Sequence, residues 1–367
     1  MVSSLPLITV GRLQVGSKFD VSSKSGDYLV EIVPEPIGDL SEFDFVIIDS
    51  FFKDLRIALN APTVRLDATE EKKTLSTVED ICYQMAKAGI TKNSKVVAIG
   101  GGVVQDVATL VSSIYKRGVE WEYFPTTLAG MLDSCMGGKS SINARGIKNI
   151  IGNTYPPKKI IIDTSFVSSL SQAELIDGLS EGVKITFARG DDFFNEFLEN
   201  PAATNPESGA NLQSLIEGSL LAKKWFVEKD EFDKKERRLL NFGHTFGHAL
   251  EGASNFAISH GIAVALGMLA AVNFSGTGEV ERVAKLSNYC NKLLEPISAQ
   301  LSKTTREINW LEFQNLIALD KKNSAGNIHL ILPDQNGNLI EKVYEKDQKT
   351  MSKLEESMTL AITEATS

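Results

Sequence analysis

Lys95-Val-Val-Ala-Ile-Gly-Gly-Gly-Val-Val-Gln-Asp106 decides how this chain folds. Lys95–Ile99 has the length and β-branched content of a buried strand. It runs without a linker into three glycines, Gly100, Gly101 and Gly102, and an apolar helix follows over Val107–Tyr115. Strand, glycine turn and helix make the repeating unit of an α/β sheet. The same arrangement lets a pyrophosphate approach backbone N–H groups at a helix N-terminus. The spacing is not G-x-G-x-x-G, and a plain tight turn would read the same way.

Outward from this stretch the pattern repeats. On the N-terminal side, Leu7–Val10, Tyr28–Val33 and Phe45–Asp49 read as short strands. Asp49 closes the third, where a carboxylate can hold a ribose hydroxyl or cap a turn. Glu70–Gly89 reads as an amphipathic helix stopped by its glycine. On the C-terminal side, Trp121–Thr127 is a strand ending in two hydroxyls, and Lys159–Asp163 is another. Between them lies Asp133-Ser-Cys-Met-Gly-Gly-Lys139, with Asn143, Lys148 and Asn149 close behind. Glycines that admit a ligand, beside lysines that supply charge, suit a phosphate or carboxylate. This is no Walker A loop, because Asp133 stands where the first glycine would be.

The alternation predicts an α/β domain with a mainly parallel sheet over 1–168. From there helical patterns dominate, giving a second, mostly helical domain over 169–367 with a late strand at Ile328–Pro333. The tail after Thr350 reads as a polar helix or a frayed end.

Bulk properties narrow the function. Of 367 residues, 43% are hydrophobic and 23% charged, ordinary for a soluble globular protein. The net charge of −9 argues against nucleic acid or an anionic membrane as partner. Cys82, Cys135 and Cys290 are odd in number and far apart, which fits reduced thiols in the cytoplasm and no disulfide framework. The N-terminus lacks the pattern of a signal peptide, and no run approaches the ~20 apolar residues that span a bilayer.

Histidine is where the second half concentrates its chemistry. The chain has four, and His244, His248 and His260 fall within a short window. His244 and His248 share a helical face at i, i+4 and look like a natural metal-binding pair. Glu181, in the helical segment Ser180–Lys184, would complete a set of two imidazoles and one carboxylate for a divalent metal with an open position. Which two histidines bind is not fixed by the spacing, and the missing Glu of H-E-x-x-H excludes a zincin protease. His329, in an apolar strand, reads as structural.

Taken together, Gly100-Gly-Gly-Val-Val-x-Asp106, Pro125-Thr-Thr127, Asp133-Ser-x-x-Gly-Gly-Lys-Ser140, Lys148-Asn149, Glu181-x-x-Lys184, Lys223, Asp230-Glu231, Arg237-x-Leu-Leu-Asn-x-Gly-His-Thr-x-Gly-His248 and His260-Gly resemble the 3-dehydroquinate synthases and their relatives, the sugar phosphate cyclases. The resemblance runs in order from about residue 95 to 272. It implies an NAD-binding α/β domain, a helical metal-binding domain and a homodimer. The implied reaction closes a carbocycle from a heptulosonate phosphate: transient oxidation by NAD, phosphate elimination, return of hydride, ring opening and aldol closure. NAD would not be consumed.

The resemblance also implies roles by position. Glu181, His244 and His260 would hold the metal, zinc or cobalt, which moves His248 to substrate contact and proton transfer. Asp133, Lys139, Asn149, Lys184, Lys223, Arg237 and Asn241 would bind substrate, with Lys139, Lys184, Arg237, Asn241 and His248 taking part in catalysis. Arg117 would reach the phosphate across the dimer, and one of Lys321 and Lys322, taken here as Lys322, would complete the site. Asp49, Glu70, Lys73, Gly101, Gly102, Val103, Asp106, Thr126, Thr127 and Lys148 would contact NAD. This chain departs from the family pattern at Phe51, Gln105, the segment Ser180-Glu-Gly-Val-Lys-Ile-Thr186, Lys235 and Ile262, which bears on the substrate more than on the chemistry. A 2-deoxy-scyllo-inosose synthase and a metal-dependent polyol dehydrogenase of the same fold are the alternatives. Lys139 and Arg237 would have no task with an uncharged polyol. A non-catalytic scaffold would have no use for so many charges held together.

Overall fold

The computed structural model describes residues 17–33, 40–53, 61–145, 147–207, 209–319 and 326–367. The strands are β1 (Lys18–Val21), β2 (Tyr28–Val33), β3 (Phe45–Asp49), β4 (Thr63–Leu66), β5 (Lys95–Gly100), β6 (Glu120–Pro125), β7 (Ile142–Ala144), β8 (Ile147–Ile151), β9 (Lys159–Asp163), β10 (Asn327–Pro333) and β11 (Leu339–Glu345). The helices are α1 (Leu75–Lys87), α2 (Gly102–Ile114), α3 (Gln172–Arg189), α4 (Asp191–Glu199), α5 (Ala210–Lys229), α6 (His244–Ala253), α7 (His260–Ser275), α8 (Glu281–Leu294), α9 (Ser298–Thr304), α10 (Trp310–Leu319) and α11 (Gln348–Thr366).

Seven strands form one sheet in the order β1-β2-β9-β6-β5-β3-β4. Its pairings are parallel apart from β1 against β2. The central strands β3 and β5 are buried almost end to end, so they read as continuous apolar runs. Helix α2 begins at Gly102, five residues earlier than expected, because the glycine turn is absorbed into the helix start. The expected strand at Leu7–Val10 lies outside the described residues. The β7–β8 and β10–β11 hairpins stand apart from the sheet.

From α3 onward the chain is built of helices packed around α7. That helix is apolar on all sides, and almost every residue from Gly261 to Phe274 is buried. Of the two readings of the tail, a helix or a frayed end, the structure shows the helix, and adds a docked apolar face. The tail forms α11 and docks on α7 through Met351, Leu354, Met358, Ala361, Ile362 and Ala365. One apolar stripe at helical spacing holds it, despite a polar average composition. The three cysteines are free. Among the described residues no helix is long and apolar enough to cross a membrane.

Candidate active site

The three clustered histidines are brought together by two helices whose backbones touch. Gly243 precedes α6 with φ +77°, and a Cβ there would lie 2.8 Å from the Val264 carbonyl oxygen on α7. A Cβ on Gly267 would lie 2.1 Å from the Gly243 carbonyl oxygen. Only glycine allows this approach. It sets His244 and His248, one turn apart on α6, beside His260 at the first turn of α7. The ring centroids are 5.1, 5.3 and 5.5 Å apart, and one nitrogen from each ring lies within 4.8 Å of the others.

Helix α3 supplies the carboxylates. Asp177 caps α7 from outside: its Oδ1 accepts hydrogen bonds from the Ser259 hydroxyl at 2.6 Å and the Ile262 N–H at 3.0 Å. One turn on, Glu181 is buried with Oε1 at 3.3 Å from His260 Nε2 and 3.8 Å from His244 Nε2. That oxygen accepts no hydrogen bond. Its other oxygen, Oε2, accepts from the Lys184 ammonium, which is buried too. Burial alone would raise the Glu181 pKa, but the Lys184 charge and His260 override it and hold the carboxyl well below the usual range. Desolvation by the cleft walls opposes a charge on His260, although its side chain is 45% exposed, yet Glu181 and Glu251 lift its pKa to about 10. Glu251 Oε2 stands 3.3 Å from His260 Nδ1, on the side away from Glu181. An orphaned, ionised carboxylate oxygen facing two imidazole nitrogens, with a second carboxylate behind one ring, fits a divalent cation.

A cavity of about 260 Å³ opens beside this cluster. It is lined by Gly102, Asp106, Asp133, Lys139, Lys184, Lys223, Asp233, Arg237, Asn241 and His244, among others. The N-terminus of α2 thus faces four cations across one space. A Cβ on Gly102 would meet nothing within 4 Å, so the glycine leaves the helix end open, as a cradle for a pyrophosphate requires. Lys73 is buried and pairs with Asp106 at 2.9 Å. Burial pushes the Asp106 carboxyl up to about 6, with Lys73 pulling the other way.

The cations are pinned. Arg237 is buried, with Nη1 donating to the Glu231 carbonyl at 2.6 Å and Nε 3.1 Å from Asp233. Its guanidinium lies against Gly137, where φ is +109° and a Cβ would fall 2.3 Å from Nη2. The Gly-Gly-Lys loop therefore makes room for an arginine as well as for a ligand. Lys139 also pairs with Asp233, and burial and Arg237 lower its pKa. Lys223 pairs with Asp133 Oδ1 at 2.6 Å, and Asp133 sits on a π-helical turn over Gly130–Ser134. Gln105, one of the departures, anchors that turn: its amide donates to the Ser134 carbonyl and accepts from the Ser134 hydroxyl. Gly182, another, allows Phe197 to pack where a Cβ would come within 2.8 Å.

Other expected residues stand around this cavity rather than in its lining. Asp49 ends β3 and caps the Phe51 N–H at 2.9 Å. Thr126 and Thr127 end β6, the Thr127 hydroxyl accepting from the Gly130 N–H, and Gly101 and Val103 flank the start of α2. Glu70 accepts from Asn143 at 2.8 Å and lies 4.0 Å from Lys148, while the Asn149 N–H donates to Asn143. His248 and His260 are exposed. Arg117 lines a separate cavity with Lys92, Trp121 and Tyr155. Lys321 and Lys322 lie outside the described residues. Sequence reasoning missed Asp177, Asp233 and Glu251. The letters Glu251 and His260, nine apart across a turn, carried the only local hint.

Two family models match the chain: 3-dehydroquinate synthase N-terminal over residues 63–177 and 3-dehydroquinate synthase C-terminal over 178–323. A 3-dehydroquinate synthase from Dictyoglomus turgidum is 36% identical over 284 residues, covering 76% of this chain and 78% of that protein. Two solved structures share the fold at 22% identity. One is a 2-deoxy-scyllo-inosose synthase complexed with carbaglucose-6-phosphate, NAD+ and Co2+ (TM-score 0.73, covering 93% of this chain and 99% of that one). The other is ValA, a 2-epi-5-epi-valiolone synthase from Streptomyces hygroscopicus subsp. jinggangensis 5008 with NAD+ and Zn2+ (TM-score 0.74, covering 98% and 99%).

Proposed function

Because the chain belongs to the 3-dehydroquinate synthase family, we propose that it converts 3-deoxy-arabino-heptulosonate 7-phosphate to 3-dehydroquinate and phosphate. It does so as a carbon–oxygen lyase with NAD returned at each turnover. The observation that carries this reading is the cavity itself, where the open N-terminus of α2 faces Lys139, Lys184, Lys223 and Arg237 beside His244. A dinucleotide cradle and a dense set of cations suit an anionic sugar substrate held against NAD.

In this reading residues 1–168 bind NAD and residues 169–367 bind metal and substrate. Glu181, His244 and His260 hold a zinc or cobalt ion. When bound, NAD accepts and returns hydride, and the metal polarises a substrate oxygen. The protein does the rest. Arg237 and Lys139 neutralise carboxylate and phosphate, Arg237 in the fork geometry that guanidinium provides. Lys223 and Asp133 fix each other beside the sugar, and Asn149 and Asn241 offer hydrogen bonds to its hydroxyls. Lys184, locked to Glu181, keeps the metal-side carboxylate ionised. His248, one helical turn from His244, moves the proton. Arg117, which lines its own cavity, serves the site of a second copy in a homodimer, and Lys322 completes the site. The protein works in the cytoplasm.

The test supplies purified, metal-loaded protein with catalytic NAD and the heptulosonate phosphate, and follows phosphate release. Release without net NADH is expected. Release from glucose 6-phosphate alone would point to an inosose-type cyclase, and net NADH from a polyol would overturn both cyclase readings.

A further inference from the structure

One contact joins a residue read as an NAD contact, on the sheet-bearing part of the chain, to the turn beside the metal cluster. The Lys148 ammonium, on β8, lies 3.4 Å from the centre of the Phe256 ring. Phe256 stands in the turn between α6, which carries His248, and α7, which begins at His260. The same ammonium is 4.0 Å from Glu70.

The ring is an unusual use of phenylalanine. It is 54% exposed, so apolar burial does little to hold it there. Its backbone is left-handed, with φ 61°, directly after Asn255 with φ 51°. Two successive non-glycine residues in that region are costly and persist only where the surroundings hold them. Here Glu251 does so. Its carbonyl accepts the Phe256 N–H at 2.7 Å, and its carboxylate stands 3.3 Å from His260 Nδ1. The residue that backs a metal-site histidine thus also sets the aromatic ring. The ring's negative face meets the lysine charge, an attraction that needs π electrons rather than bulk.

We propose that Phe256 is a positioning residue for the cofactor: its ring holds the Lys148 ammonium beside Glu70, ready for the dinucleotide. The inference rests on the reading of Lys148 and Glu70 as NAD contacts. Phe256 acts only through Lys148 and ties the metal-side turn to the cofactor side of the cleft.

The test measures the NAD dissociation constant by calorimetry on metal-loaded protein, for the wild type, Phe256→Leu, Phe256→Tyr, Lys148→Gln and the Phe256→Leu/Lys148→Gln pair. Thermal melting and metal content confirm that each variant folds. Phe256→Leu keeps apolar bulk and loses the π face, and is expected to weaken NAD about two- to fivefold. Phe256→Tyr is expected to bind as the wild type does, and Phe256→Leu to add nothing once Lys148 is gone. Unchanged binding in Phe256→Leu overturns the proposal. So does equal weakening in Leu and Tyr variants, or a full further loss in the double variant. A wild type that binds no NAD removes the cofactor reading itself, a result seen before any substitution is compared.

Discussion

Replacing Glu251 by Gln tests whether the histidine cluster is a metal site with its supporting shell in place. Glu251 Oε2 is 3.3 Å from His260 Nδ1, on the opposite side of the ring from Glu181. A metal on Nε2 leaves Nδ1–H to donate to Glu251, which fixes the ring and strengthens its lone pair. Two full charges ~4 Å apart would interact by about 4 kcal/mol at an effective dielectric of about 20. The true effect is smaller, since a metal-bound imidazole presents a dipole and His260 is 45% exposed. Gln keeps an acceptor of the same length and loses the charge. The expected loss of metal affinity is therefore about tenfold, about 1.4 kcal/mol, at the lower end of what such outer partners supply. Competition with a chromophoric chelator for zinc measures it directly, without substrate or NAD. Zinc affinity in Glu251→Gln within twofold of the wild type would refute the reasoning. A loss as large as that of His260→Ala would show that Glu251 is itself a ligand.

Further tests address the other roles. His260→Ala and His244→Ala should lose bound metal and turnover together, whereas His248→Ala should keep near-stoichiometric metal by elemental analysis and lose turnover at least a hundredfold. Arg237→Lys keeps the charge but not the fork, and should raise the KM for the phosphorylated substrate by about ten- to a hundredfold with metal content unchanged. Asp106, raised to about 6 by burial against the pull of Lys73, binds a proton more readily in the folded apo protein than an unperturbed carboxyl does. Its own contribution to stability therefore falls as pH rises from about 4 to 6. If NAD needs the carboxylate, the NAD dissociation constant should rise about tenfold per pH unit below about 6, and Asp106→Asn should flatten that profile in calorimetric titrations. Gly267→Ala would set a Cβ 2.1 Å from the Gly243 carbonyl oxygen and should destabilise the fold by about 1–3 kcal/mol or more in denaturant unfolding.

Five strands of the sheet, β2, β3, β5, β6 and β9, were legible as short apolar runs bounded by glycine, proline and aspartate, whereas the four-residue edge strands β1 and β4 were not. Three further features were missed. The partner strand of β10, Leu339–Glu345, is mostly exposed and breaks its apolar residues with Glu341 and Lys342, so neither a continuous apolar run nor a strict alternation marks it. Helix α11 hides its apolar stripe among lysines, glutamates and threonines, and only α7 gives that stripe a place to dock. For the histidines, helical spacing sees one helix at a time. It pairs His244 with His248, while the approach of α6 to α7 places His260 equally close to both. Asp177 and Glu251 were silent because their partners come from helix packing and a turn, and Asp177 lies 85 positions from Ile262. The departures Gln105 and Gly182 make sense only beside Ser134 and Phe197.

The glycine contact between α6 and α7 also says what emptying the metal site would do. The separation of the three imidazoles is set by main-chain atoms of two buried helices in van der Waals contact, with Gly243, Gly247 and Gly267 at the seam. The ligand cage is thus paid for by folding and not by the ion. A chelator should strip the metal and leave the helices in register, and added zinc should restore activity at the speed of diffusion rather than of refolding. If the proposed metal site holds, exchange of its ion would then need no unfolding of the helices.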